Sequence, residues 1–179
     1  MIVIAAVAMT LVGCGGSVAN VNIDVMPRRP SKAQPILIKR FDMSATTAEG
    51  DFMDDPAQAH NHKQLIADTI KYLLLQFFRN EGYSVAEYAP GAAGLVIDGQ
   101  VMNFSTGSRQ KRLWLGFGAG HAWVQARSLV YDAADPSRVL VDIIVEGSSG
   151  SSTSLRDMTA GNCRQIAAGI FDYLVFKPE

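Results

Sequence analysis

The sequence predicts an α+β domain: a mixed or antiparallel sheet of about five strands with two helices packed on one face. Three observations predict it. A stretch between Asp55 and Gly82 carries apolar residues at helical spacing, and so does a last stretch from about Asp157 to Val175. Between them, short segments of strand character end in two apolar runs, Ala122 to Tyr131 and Val139 to Val145, which read as a β-hairpin.

At 179 residues, with 48% hydrophobic and 18% charged residues, the chain has enough apolar material for one compact core. A net charge of -1, from 16 basic and 17 acidic residues, leaves no polybasic block. Nucleic acid is therefore not an expected partner.

The first 13 residues are apolar or small apart from Thr10, too short a run to span a bilayer and of the length of a signal-peptide core. Leu11-Val12-Gly13-Cys14 resembles the lipobox of bacterial lipoproteins. That resemblance implies removal of residues 1–13 as a signal peptide and acylation of Cys14, palmitate being a usual chain. No Lys or Arg precedes the run, which leaves room for a start upstream of Met1. Gly15 stands where an Asp would resemble an inner-membrane retention signal, so the outer membrane is favoured over the inner. Two or three acyl chains, at about 0.8 kcal/mol per buried methylene, make such an anchor effectively permanent. With Cys14 acylated, Cys163 has no cysteine partner, and stability is expected to come from the core.

Residues 14–34 contain Pro27, Pro30 and Arg28-Arg29 and read as a tether, in which alternating Val21, Ile23 and Val25 allow a short edge strand. Residues 35–179 then form a single periplasmic domain. Ile36 to Phe41 is the first good strand, and Asp42 to Asp54, small and polar with Gly50, reads as a surface loop. Asp55 suits an N-cap, Pro56 suits the first helical position, and Gly82 can end the helix in the left-handed conformation. Ile66, Ile70, Leu73, Leu74 and Phe77 fall on its packing face, which Tyr72, Leu75 and Phe78 widen.

Ser84 to Tyr88 is a short strand, Pro90-Gly91 a turn and Leu95 to Phe104 a longer strand. In the hairpin, Val124, Ala126, Ser128 and Val130 share one face, and Val139, Val141, Ile143 and Val145 share a face of the partner strand. Asp135-Pro136 suits the first two positions of a type I turn. Gly147 to Ser154 reads as a flexible Gly/Ser loop. In the last helix Cys163, Ile166, Ala167, Ile170, Phe171 and Leu174 make one apolar face, and Gly161 and Gly169 are tolerable if they permit close approach to the sheet.

Leu95-Val96-Ile97-Asp98-Gly99, Gly107-Ser108-Arg109, Gly116-Phe117-Gly118-Ala119-Gly120, Asp132 before the hairpin turn and Glu146-Gly147 after its second strand follow one another in order. That succession resembles the uncharacterised bacterial lipoprotein family called domain of unknown function 4410. The likeness extends back to Ile36 and through the last helix. It implies a lipid-anchored periplasmic α+β domain and carries over no catalytic or ligand residues. The order of elements is also similar to small periplasmic domains of envelope assembly and transport lipoproteins, a fold-level analogy.

No reaction chemistry emerges from the motifs. Gly116, Gly118 and Gly120 lack the dinucleotide spacing, lead into a strand, and are followed by no Walker lysine. His60 and His62 are two apart on a helix, about 200° around the axis, and read as a solvated first turn, not a metal site. Gly147-Ser148-Ser149-Gly150 lacks a nucleophile-elbow spacing. Cys163 reads as a small buried hydrophobe. No enzyme activity, cofactor or metal is expected. The residues that stand out are Arg109 and Arg112, in a basic cluster with Lys111, followed by Trp114, Phe117 and Trp123 interleaved with glycines. They are the candidate partner contacts, because aromatic and Arg anchors dominate interface energies. The expected function is a lipid-anchored periplasmic lipoprotein acting through protein contacts, with an envelope protein or further copies of itself, in cell-envelope assembly or maintenance. The alternative is a carrier holding a lipid or other apolar ligand between helix and sheet.

Overall fold

The structure, a computed structural model, describes residues 17–22, 30–50, 54–108, 121–149 and 155–176. Among them lie β1 (Ser17–Asn22), β2 (Ile36–Ile38), β3 (Thr47–Glu49), α1 (Pro56–Asn80), β4 (Val85–Glu87), β5 (Leu95–Ser105), β6 (Ala122–Asp132), β7 (Asp135–Ser149) and α2 (Leu155–Phe176). One mixed sheet holds all seven strands in the order β1-β7-β6-β5-β2-β4, with β3 also on β5. The fold class is α+β as expected, and the two further strands come from segments that read as tether and loop.

The antiparallel meander β5-β6-β7 is the frame. Alternation sends Val124, Ala126, Ser128 and Val130 of β6 and Val141, Ile143 and Val145 of β7 inward, all at most 2% exposed. Against this face pack Ile66, Ile70, Leu74 and Phe78 of α1 and Cys163, Ile166, Ile170 and Leu174 of α2. Each fully buried side chain of this size contributes roughly 1.5–3 kcal/mol. The helices also meet each other, where Phe171 lies 5.0 Å edge-on from Phe78 and 5.8 Å from Phe77.

α1 begins and ends as its punctuation predicts. Asp55 accepts the Ala57 N–H at 2.9 Å and the Gln58 N–H at 3.3 Å. At the other end Gly82, at φ +79°, donates to the Arg79 carbonyl, and Tyr83 donates to that of Phe78. The buried stripe is turned slightly from the expected one: Ala67, Leu75 and Phe78 are buried, while Leu73 and Phe77 are half-buried at its margin. Contact with α2 as well as the sheet draws the stripe round the helix.

Four local expectations are corrected. Residues 42–49, expected as loop, run parallel along β5: Asp42 donates to Gly99 and accepts from Val101, and β3 pairs with Asn103 to Ser105. Gly99 permits this, since a Cβ there would come within 2.2 Å of the Phe41 ring. The hairpin turn is Ala133-Ala134, immediately before the Asp-Pro pair, because the Asp132 carboxylate takes the Ala134 N–H at 2.9 Å. Pro136 then falls in an unpaired bulge between Asp135 and Val139, where its missing donor costs nothing. A second register shift sets Val139 opposite Tyr131, so that Leu140 packs on the core in place of Val139. Finally, β7 continues through Gly147 to Ser149, in place of the Gly/Ser loop expected from Gly147. Gly147 lets α2 approach closely, for a Cβ there would lie 2.4 Å from the Asn162 carbonyl oxygen.

Along the stretch expected as tether, β1 pairs antiparallel with β7, Ser17 opposite Glu146 and Asn22 opposite Asp142. The edge strand is therefore present, but it starts earlier than the Val21-Ile23-Val25 alternation indicates.

Candidate functional site

Three groups of polar and aromatic residues stand out, two toward the sheet face away from α1 and α2 and one between those helices and the sheet. The first lies at the end of the sheet where β5 stops and β6 starts. Trp123 stands opposite Ser105 on one side and Ser148 on the other, on the face away from the helices, and is half-buried. With Thr47, Glu49, Asn103 and Phe104 it lines an open depression of about 240 Å³. Asn103 Nδ2 donates to Gln125 Oε1 at 3.3 Å across the strands. The lining offers one indole, one carboxylate, one amide and one hydroxyl, a set suited to holding a side chain of mixed polarity.

The second group closes the far half of the sheet face away from α1 and α2. Leu37, Val96 and Tyr131 form a small apolar cluster, extended by Tyr88, Ala92 and Ala133. Over it, Lys39 Nζ donates to Asp98 Oδ2 at 2.8 Å, and the Tyr131 hydroxyl donates to the same oxygen at 3.1 Å. The ammonium also lies 4.8 Å from the Tyr88 ring centre and 5.5 Å from that of Tyr131. Burial by itself would lower the Lys39 pKa, but the bonds to Asp98 and Tyr131 outweigh it and hold the ammonium above its ordinary range. Burial raises the Tyr131 phenol above its usual value, against the pull of Lys39. A charged Lys beside a neutral phenol is a fixed ion-pair network. It is no proton shuttle, because neither group titrates near neutrality.

The third group sits between the helices and the sheet. His62 is half-buried, 5.5 Å from the Phe104 ring, with Nε2 3.2 Å from Thr159 Oγ1. Burial lowers its pKa. The expected solvated turn therefore holds for exposed His60 and fails for His62, which α2 covers. Cys163 is fully buried with its thiol pushed up to about 12, as expected of a packed hydrophobe. No cluster of three metal-ligating side chains occurs among the described residues.

Of the residues singled out in the sequence, Trp123 alone is described, at the rim of the first depression. Cys14, Arg109, Arg112, Trp114 and Phe117 lie outside the described residues, as do Gly116, Gly118 and Gly120. Sequence reasoning misses Thr47, Glu49 and Asn103, since the segment that forms β3 has the composition of a loop. It also misses Lys39, Asp98 and Tyr131, whose meeting depends on the β2-β5-β6 register.

No helix among the described residues is long and apolar enough to cross a membrane. The model of the family described as domain of unknown function (DUF4410) matches residues 36–155. No curated protein matches the chain. Solved structures similar in fold include the following two. The PelC dodecamer from Paraburkholderia phytofirmans aligns over 88% of this chain and 99% of its own, at a TM-score of 0.50 and 9% identity. Protein XCC0632 from Xanthomonas campestris, of the DUF330 family, aligns over 86% of this chain and 91% of its own, at a TM-score of 0.56 and 12% identity.

Proposed function

The chain belongs to the family described as domain of unknown function (DUF4410), and from that membership we propose a lipid-anchored module of the bacterial cell envelope, acting without catalysis through protein contacts. Its anchor is Cys14, its membrane the outer one, and its first partner a further copy of itself. The observation that carries the reading is that the described elements cover the sheet on one side. Both helices pack on one face, whereas the other presents Trp123, Gln125, Arg127 and Leu129 of β6, none of them buried. A sheet face of mixed aromatic and charged character suits a polar, wet protein interface. PelC, similar in fold, is a dodecamer, which adds support for self-association.

The carrier reading needs room between helices and sheet. Ile66, Ile70 and Phe78 from α1, Ile166 and Ile170 from α2, and Ile97 and Ile143 from the sheet meet there with at most 1% of their surface exposed. Such packing favours the contact reading.

The test is native mass spectrometry of protein extracted gently from host membranes. A discrete multimer, or a stoichiometric complex with an envelope protein, is expected, carrying acyl mass only on an N-terminal Cys14 peptide. A monomer with one apolar molecule bound would replace this reading by the carrier. An unmodified peptide spanning Met1 to Cys14 would remove the anchor.

A further inference from the structure

The two ends of the sheet differ in how far they can lie from Cys14. β1 starts at Ser17, and Ser17 is held opposite Glu146 near the end of β7. Three residue steps, at most about 3.5 Å each, allow Cys14 only about 10 Å from that point. The expected tether of residues 14–34 would have allowed several times that span. Pairing of residues 17–22 with the sheet removes most of that length.

The register shows what else lies at this end. Glu146 is opposite Gln125, Ser148 opposite Trp123, and Trp123 opposite Ser105, which pairs with Glu49 of β3. The other end, with the Ala133-Ala134 turn, lies ten residue steps away along β6, about 33 Å at a strand rise of about 3.3 Å. Both broad faces carry solvated ion pairs: Arg40 with Asp68 at 2.6 Å on the helix side, and Arg127 with Asp142 at 2.5 Å on the sheet side. Laying either face on a bilayer would strip water from such a pair without improving its geometry.

We infer that the domain stands end-on, with the Ser17–Glu146–Ser148 end held against the lipid headgroups and the Asp132–Asp135 end projecting away from the membrane. The inference rests on the proposed acylation of Cys14 and adds an orientation to it. A short link thus acts as a mount, and the sheet face away from α1 and α2 stands upright, turned toward neighbours anchored in the same leaflet.

The test uses the full acylated protein in vesicles of phosphatidylcholine and phosphatidylglycerol. A nitroxide is placed in separate variants at Ser148→Cys and at Ser137→Cys, both exposed positions. Buried Cys163 does not compete for the label. Relaxation by a nickel chelate attached to lipid headgroups is expected to be several-fold stronger at position 148 than at 137. Inserting ten Gly/Ser residues between Gly15 and Gly16 is expected to abolish that difference. The mass of the N-terminal peptide is taken on the same samples. An acylated Cys14 with equal relaxation at both positions, with stronger relaxation at 137, or with a difference that survives the insertion, overturns the orientation alone. An unmodified Cys14 overturns the anchor and the orientation together.

Discussion

Replacing Gly147 by Ala tests whether α2 is seated on β7 through a glycine. The added Cβ would lie 2.4 Å from the Asn162 carbonyl oxygen, 3.1 Å from its carbon and 3.2 Å from its Cα. All three are backbone atoms of α2, so no rotamer change relieves the contact, and the helix must move outward by the better part of an ångström. A gap of that size forfeits a quarter to a half of the dispersion well for the atoms it separates. Overpacking of this kind costs about 1–3 kcal/mol, against which a strand Gly→Ala change returns roughly 0.5 kcal/mol. The net expectation is about 1.5 kcal/mol, or a fall in Tm of roughly 3–6 °C for a chain of this length. Gly169→Ala is the comparison, for its Cβ would meet Val145 Cγ1 at 2.7 Å, one side-chain atom of a buried, β-branched residue instead of helix backbone. A gain of about 1 kcal/mol of helix propensity offsets part of that contact, so the change should cost less than Gly147→Ala. Urea unfolding of the Cys14→Ser protein with each change measures the two values. A neutral Gly147→Ala, or a Gly169→Ala that costs as much, would refute the seating.

Ile70 is fully buried on α1, so Ile70→Asp is expected to abolish the cooperative unfolding transition, because an unpaired carboxylate would be desolvated in the core. Leu73→Asp should be milder, since Leu73 is half-buried; equal effects by thermal denaturation would contradict the observed stripe. His62 has a folded pKa below its unfolded value of about 6.5. Between those two values the unfolded chain binds more protons, so stability rises with pH there and gains nothing more above about 6.5. His62→Gln should flatten that slope in urea titrations from pH 5 to 8, and an unchanged slope would assign it to other groups. Cys163, with its thiol pushed up to about 12, should resist iodoacetamide at pH 8 until urea unfolds the domain; native labelling at the rate of a free thiol would show that α2 is not closed over it.

What is legible in the sequence follows from where the signal resides. The apolar face of α2, from Cys163 to Leu174, is readable in full because its contacts with the sheet and with α1 fall on the same helical stripe. The cap and stop of α1 are equally plain, since Asp55, Pro56 and Gly82 act on their own backbone. The α1 stripe reads one position off at Leu73 and Phe77, because helical period gives a face but not its second partner. β1 and β3 are misplaced or missed for another reason. They are held by backbone hydrogen bonds to β7 and β5, and any sequence can make those bonds, so side-chain alternation need not mark them. The same limit hides the Lys39-Asp98-Tyr131 network, which exists only once the β2, β5 and β6 registers are set. It also hides the short mount. Composition makes residues 14–34 look like a tether, whereas the pairing of Ser17 with Glu146 brings the proposed anchor to the end of the sheet that holds Trp123. Trp123, which stands out from sequence as a contact, therefore lies at the end that a lipid on Cys14 would draw to the membrane. On the proposed anchor, a partner of Trp123 is reached at the membrane surface.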